Sequence, residues 1–200
     1  LLGWSPGKGD AEIFSKAEPT DIFTLDGISG GNAVFNAEKL DWFNQQHLAR
    51  LAPPELAARV RPSFEAAGLW SDDLLTTRHA WFFAVLALLT SRTKRLPDFP
   101  AQGAFFFKTE VDYDEAAVAK HLRADGVPAH LTALVAAWTA LTDFDAASTE
   151  AALRQVAEAR GLKAGTLIHA VRVAVTGTTV SPGIFEVVAL VGRARVLEQI

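Results

Sequence analysis

From Ala37 onward, apolar positions recur three and four residues apart, the spacing that lines one face of an α-helix. Asn36 can cap a helix through Ala37-Glu38-Lys39-Leu40-Asp41-Trp42-Phe43, with Leu40, Phe43, His47 and Leu48 on one side. Pro53-Pro54 ends that unit and opens a second helix, which carries Leu56, Val60 and Phe64 and is closed by Gly68. Ser71-Asp72-Asp73 reads as the next helix start, a cap followed by two acids at the positive end of the dipole. The run through Trp81, Phe82, Val85, Leu86 and Leu89 is apolar nearly all round, as expected of a central buried helix. Leu96-Pro97-Asp98-Phe99-Pro100 then predicts a break.

The second half continues the pattern. Asp112-Tyr113-Asp114-Glu115 has capping-box spacing, with Asp112 at the cap and Glu115 three residues on. Amphipathic helices are predicted over Glu115–Asp125 and Val127–Thr142, and another from Ser148 to Arg160, ended by Gly161. Ala164–Val175 reads as helix despite its β-branched residues, and Thr176-Gly177-Thr178-Thr179-Val180 as a loop. Ser181-Pro182 is expected to start a further helix, Ser as cap and Pro at the first helical position. A last helix runs from Arg193 to Ile200. The first 35 residues, rich in Gly, Pro, Ser and Thr, look like an irregular connector wrapped on a neighbour. The fold class is all-α.

Composition narrows the class. The chain has 200 residues, 50% of them hydrophobic, enough for one generous core or two small ones. It contains no Cys, which removes disulfides, thiolate metal sites and Cys nucleophiles, and a reducing cytoplasm fits. The longest apolar run, Ala80 to Leu89, is half of the roughly 20 residues a membrane span needs. No Met occurs anywhere, which leads us to expect a fragment rather than a complete gene product. Net charge is −4, yet it is polarised: Asp98–Glu150 holds nine acids against three bases, and Ala151–Ile200 six bases against three acids. With the basic knot Arg92-Thr93-Lys94-Arg95, that is compatible with a phosphate-facing side.

Three stretches resemble the C-terminal half of bacterial glutamyl-tRNA synthetases, in that family's order. The first is Leu1-Leu2-Gly3-Trp4-Ser5 with Ile13-Phe14 and Ala33-Val34-Phe35-Asn36-Ala37-Glu38-Lys39-Leu40-Asp41-Trp42. The second is Arg92-Thr93-Lys94-Arg95-Leu96-Pro97-Asp98-Phe99. The third and most specific is Arg172-Val173-Ala174-Val175-Thr176-Gly177, Ser181-Pro182-Gly183-Ile184-Phe185-Glu186-Val187 and Leu190-Val191-Gly192-Arg193. The resemblance implies a class I aminoacyl-tRNA synthetase whose helical cage reads the anticodon loop of glutamate tRNA. Residues 1–50 would end the stem-contact region, and 51–110 and 111–200 would form two packed anticodon-binding subdomains. ATP with magnesium would bind an N-terminal catalytic domain absent from this chain, within a monomeric, cytoplasmic enzyme. It further implies that Arg154, Arg172, Ser181, Pro182 and Ile184 touch anticodon bases. Arg92 matches a position that inspects the third base, where glutamate-only members carry Arg.

The same residues suit that task physically. Unstacked bases require edge donors, stacking surfaces and cations for phosphate. Arg172 and Arg154 supply planar donor forks, Thr179 and Ser181 short hydroxyls, and Pro182 and Ile184 apolar faces. A helix start at Ser181 would aim free N–H groups outward. Simpler readings coexist: plain capping at Ser181-Pro182-Gly183, an Arg172 stem snorkelling from the core, and a solvated helix end at Arg92–Arg95. Trp42, Trp81 and Trp138 are expected in the core, and Asp112, Asp114 and Glu115 as capping residues rather than a cation site. The five His are scattered without HExxH or paired-ligand spacing, so no metal site is expected. Neither class I signature motif occurs, so the chain alone is expected to be catalytically inactive. A helical protein-interaction module and a stand-alone tRNA-binding paralogue remain alternatives; neither DNA nor membrane is expected as a partner.

Overall fold

The computed structural model describes residues 3–7, 12–15, 17–31 and 34–200. Leu1, Leu2 and Ala33, part of the first block of resemblance, lie outside the described residues. Among the described residues there are eleven α-helices: α1 (Glu18–Ile22), α2 (Ala37–Ala49), α3 (Pro53–Ala66), α4 (His79–Thr90), α5 (Asp98–Phe107), α6 (Glu115–His121), α7 (Val127–Thr139), α8 (Ala146–Ala159), α9 (Ala164–Thr176), α10 (Ile184–Val191) and α11 (Arg193–Gln199). Before α2, one antiparallel bridge joins Trp4 to Ile28, and Trp4 stacks on Phe23.

Several ends form where the local chemistry sets them. Asn36 accepts from the Lys39 amide at 3.0 Å and caps α2. The cap of α6 is Asp114, not Asp112: its Oδ1 accepts from Ala116 at 2.9 Å and Ala117 at 3.4 Å. Asp112 instead pairs with Lys108 at 2.7 Å. α8 starts two residues earlier than Ser148, because Asp145 and Ser148 cap each other reciprocally.

Other expectations need correction. The Ser71 hydroxyl donates to the Asp73 carboxylate rather than capping an amide, so Asp72–Leu75 is only a 3₁₀ turn and α4 waits until His79. The break before residue 100 is short: a new helix, α5, begins at Asp98, with Pro100 in a first turn that needs no amide there. Trp42, expected in the core, is 41% exposed, and Leu40 is 54% exposed. Only the last turn of α2 reaches the core, through Leu48.

α3, α4 and α5 pack on one another, α6 to α11 do likewise, and α4 meets α10 between the groups. One continuous core runs from Leu48 to Val196 through Phe64, Phe82, Leu134, Trp138 and Val171. Each fully buried large apolar side chain in it contributes about 1.5–3 kcal/mol. Polar ties cross the junction. The Trp81 indole donates to the Leu190 carbonyl at 2.8 Å, and the Tyr113 hydroxyl to Ala174 at 2.9 Å. Arg195 places its guanidinium on the Phe105 (2.8 Å) and Phe106 (3.3 Å) carbonyls, at the negative end of α5.

Two predictions follow from this packing. Gly177 has φ +78°, and a Cβ there would overlap the Asp112 carbonyl oxygen; Gly161 has φ +65° in open space. Gly161→Ala should cost about 1–2 kcal/mol for the left-handed backbone alone, and Gly177→Ala clearly more, read as the difference in denaturant midpoints. The His121 and His169 rings stack at 5.2 Å between α6 and α9. Burial, with the His169 and Lys120 charges adding, holds the His121 pKa below the ordinary imidazole value. Its contribution to stability is therefore full above the unfolded value of about 6.5 and lost as pH falls through the lower folded value. The thermal midpoint should drop between pH 7.5 and 5, and His121→Gln should reduce that slope.

Candidate nucleic-acid interface

α9 stops at Thr176 because Gly177 turns left-handed, its N–H donating to the Val173 carbonyl at 2.9 Å. The Asp114 amide closes onto the Gly177 carbonyl at 2.9 Å, which sets the loop 178–183 beside the link between the two helix groups. Arg172, one turn before the helix end, reaches across that loop. Its Nη1 donates to Ser181 Oγ (2.6 Å), the Ser181 carbonyl (3.2 Å) and the Pro182 carbonyl (3.1 Å). Its Nε is buried without a hydrogen-bond partner.

Burial first, and the charge of nearby Arg92 second, hold Arg172 below the ordinary guanidinium value. Arginine remains charged regardless. Arg92 is exposed on the turn between α4 and α5, whereas Arg172 belongs to α9. The Arg92 charge is therefore felt at Arg172 from the turn between α4 and α5, and among the described residues neither forms an ion pair. Such a spot favours an anion or a carbonyl-rich ligand.

The remaining expected residues divide. Thr179 is exposed on the loop. Arg154 is exposed on α8, donating to Glu150 at 2.8 and 2.5 Å, and no bond among the described residues ties it to the Arg92–Arg172 group. An exposed pair of this kind is weak and gives way readily to a competing anion.

Ser181 does not cap α10, and Pro182 is not its first residue. The Ser181 side chain is 3% exposed and is used by Arg172 and, as donor, by the Pro182 carbonyl at 2.9 Å. α10 therefore begins at Ile184, after Gly183. Pro182 is buried and Ile184 is 3% exposed, so the apolar faces of both are packed within the protein. A Cβ on Gly183 would overlap the Glu186 carboxylate, which places a negative charge beside the helix start that was expected to face phosphate.

Gln102 was not singled out from the sequence. Its Nε2 donates to the Arg92 carbonyl at 3.4 Å, and its Oε1 lies 3.3 Å from the Thr93 hydroxyl. The available signal was its polarity within Phe99-Pro100-Ala101-Gln102-Gly103-Ala104-Phe105, an otherwise apolar run.

Residues 55–200 match the family model described as anticodon binding domain, which spans both helix groups and every residue of this site. The chain belongs to the anticodon-binding domain family. Relatives agree with the resemblance read from the sequence. Glutamate–tRNA ligase of Desulforudis audaxviator is 35% identical over 98% of this chain and 40% of its own length. Glutamate–tRNA ligase of Anaeromyxobacter dehalogenans is 37% identical over 100% of this chain and 40% of its own. The crystal structure of a glutamate tRNA ligase from Elizabethkingia meningosepticum, in complex with its amino acid, superposes with a TM-score of 0.85 at 25% identity, covering 100% of this chain and 38% of that one. This anticodon-binding chain thus spans about 40% of the length of the curated relatives it matches.

Replacing Ser181 by Ala should cost about 1 kcal/mol, the net value of a buried hydrogen bond, and loosen the loop 178–183. Denaturant midpoint and faster amide exchange at Thr178–Val180 would show both effects.

Proposed function

We propose that this chain is the tRNA-binding part of a glutamate–tRNA ligase and reads the anticodon loop of glutamate tRNA. The observation that carries this reading is Arg172, held to the exposed loop by neutral oxygens through Nη1 with its Nε left without a partner, and feeling the charge of the exposed Arg92. Arg172 keeps Nη2 for a base edge while Nη1 holds the loop in place. Arg92 inspects the third anticodon base, which favours glutamate over glutamine tRNA. Thr179 adds a hydroxyl, and Arg154 meets the RNA from α8. Ser181, Pro182 and Ile184 act from beneath, fixing the height and slope of the loop.

Glutamate, ATP and magnesium would bind a catalytic region of the same protein outside this chain, and binding here would add affinity and discrimination to the charging reaction. Residues 1–50, including the exposed Phe23, Leu25, Phe35, Leu40 and Trp42, would meet that region and the tRNA stem. The division at 51–110 and 111–200 would let each helix group supply one cation. A cytoplasmic monomer fits this role. No helix among the described residues is long and apolar enough to cross a membrane.

The test is binding to glutamate tRNA transcript at two salt concentrations, beside an anticodon-altered transcript and the variant Arg172→Ala. Affinity should fall with salt, and each change should cost about 1–3 kcal/mol, the scale of a base contact. Binding indifferent to the anticodon would overturn the reading.

A further inference from the structure

The turn between α4 and α5 carries five consecutive polar residues, Ser91 to Arg95, and the last four do different things. Thr93 is fully buried, its hydroxyl donating to the Leu89 carbonyl at 2.9 Å. Arg95 turns back to α2, where Asp41 takes its guanidinium in a two-point pair at 2.7 and 3.0 Å. Arg92 and Lys94 are left exposed, and among the described residues neither forms an ion pair.

Three backbone carbonyls of this turn accept hydrogen bonds from three side-chain amides. Gln45 Nε2 donates to the Ser91 carbonyl at 2.8 Å, Gln102 Nε2 to Arg92 at 3.4 Å, and Asn44 Nδ2 to Lys94. Water would satisfy carbonyls at an exposed helix end equally well, and ordering Asn and Gln side chains costs entropy. The amides therefore determine where the turn sits rather than merely filling its hydrogen bonds. Two of them belong to α2, which leads back towards the N-terminal segment and buries only its last turn in the core.

We propose that Asn44 and Gln45 are positioning residues for RNA recognition, holding the turn so that Arg92 and Lys94 meet the anticodon loop at a fixed place. This rests on the reading of Arg92 given above. α2 thereby ties the turn that bears Arg92 to the N-terminal segment that leads into α2. The pre-organised turn loses little freedom when RNA arrives, which is the advantage of clamping it beforehand.

The experiment titrates this chain with an RNA hairpin bearing the glutamate anticodon loop and with a second hairpin changed at the third anticodon base. Wild type, Arg92→Ala, the double variant Asn44→Ala with Gln45→Ala, and all three substitutions together are compared, each with its thermal midpoint. The double variant should weaken binding to the first hairpin by about three- to tenfold, the cost of a small misplacement, and narrow the preference between hairpins. In the Arg92→Ala background the same pair of substitutions should cost clearly less than in wild type, the share acting through Lys94 alone, since residues acting through a common partner are not additive. Should the double variant lower the midpoint below the assay temperature, Gln45→Ala alone is read in the same way.

If wild type discriminates and Arg92→Ala abolishes it, yet the double variant behaves as wild type, the positioning role is overturned and the anticodon reading survives. A loss that persists undiminished without Arg92 also overturns it. If wild type itself ignores the changed base, both proposals fall.

Discussion

The approach of Gly177 to the Asp112 carbonyl is the constraint on which the site depends. Only a residue without Cβ can bring the end of α9 that close to the link between the helix groups, and only a left-handed residue can turn the chain there. The Asp114 amide then closes onto the Gly177 carbonyl, and the same Asp114 caps α6. One glycine thus couples the end of α9, the start of α6 and the entry to the loop 178–183. The Trp81, Tyr113 and Arg195 bonds complete the junction, each with a side chain donating to a carbonyl of a distant element.

With the junction set, electrostatics does the rest. Two guanidiniums near one another repel, and a protein without use for the pair gains by separating them or adding a carboxylate. Acids are plentiful in Asp98–Glu150, yet the described ones pair elsewhere or stay in solvent: Asp112 with Lys108, Glu115 with Arg123, Glu150 with Arg154. Arg172 is held to the loop by neutral oxygens alone, so its charge stays uncompensated and directed at whatever approaches the loop. A chain with net charge −4 can carry such a site because recognition depends on the local field, not on the sum.

Much of the fold was legible. The cap at Asn36, the start of α6 at Glu115, the buried α4, and the glycines after α8 and α9 follow from local rules that tertiary context left standing, although the α6 cap falls on Asp114 rather than Asp112. The failures share a cause. Ser71 and Ser181 both look like helix caps, but each hydroxyl found a side-chain partner that the local sequence does not rank above an amide. Trp42 and Leu40 read as core by periodicity, which shows that a helix has an apolar face without showing what covers it.

By itself the sequence determined the all-α class, most helix positions, the glycines at the turns and, through its resemblance, the family. These depend on interactions within a few residues, or on patterns shared with relatives. Tertiary structure decided which cations stand free, which of the expected contact residues are buried, and which amides hold the turn bearing Arg92. Those outcomes depend on partners far apart along the chain: Arg172 beside Arg92, Asn44 on Lys94, Gln45 on Ser91. No local pattern encodes such pairings, because the geometry that selects them exists only once the helices have packed.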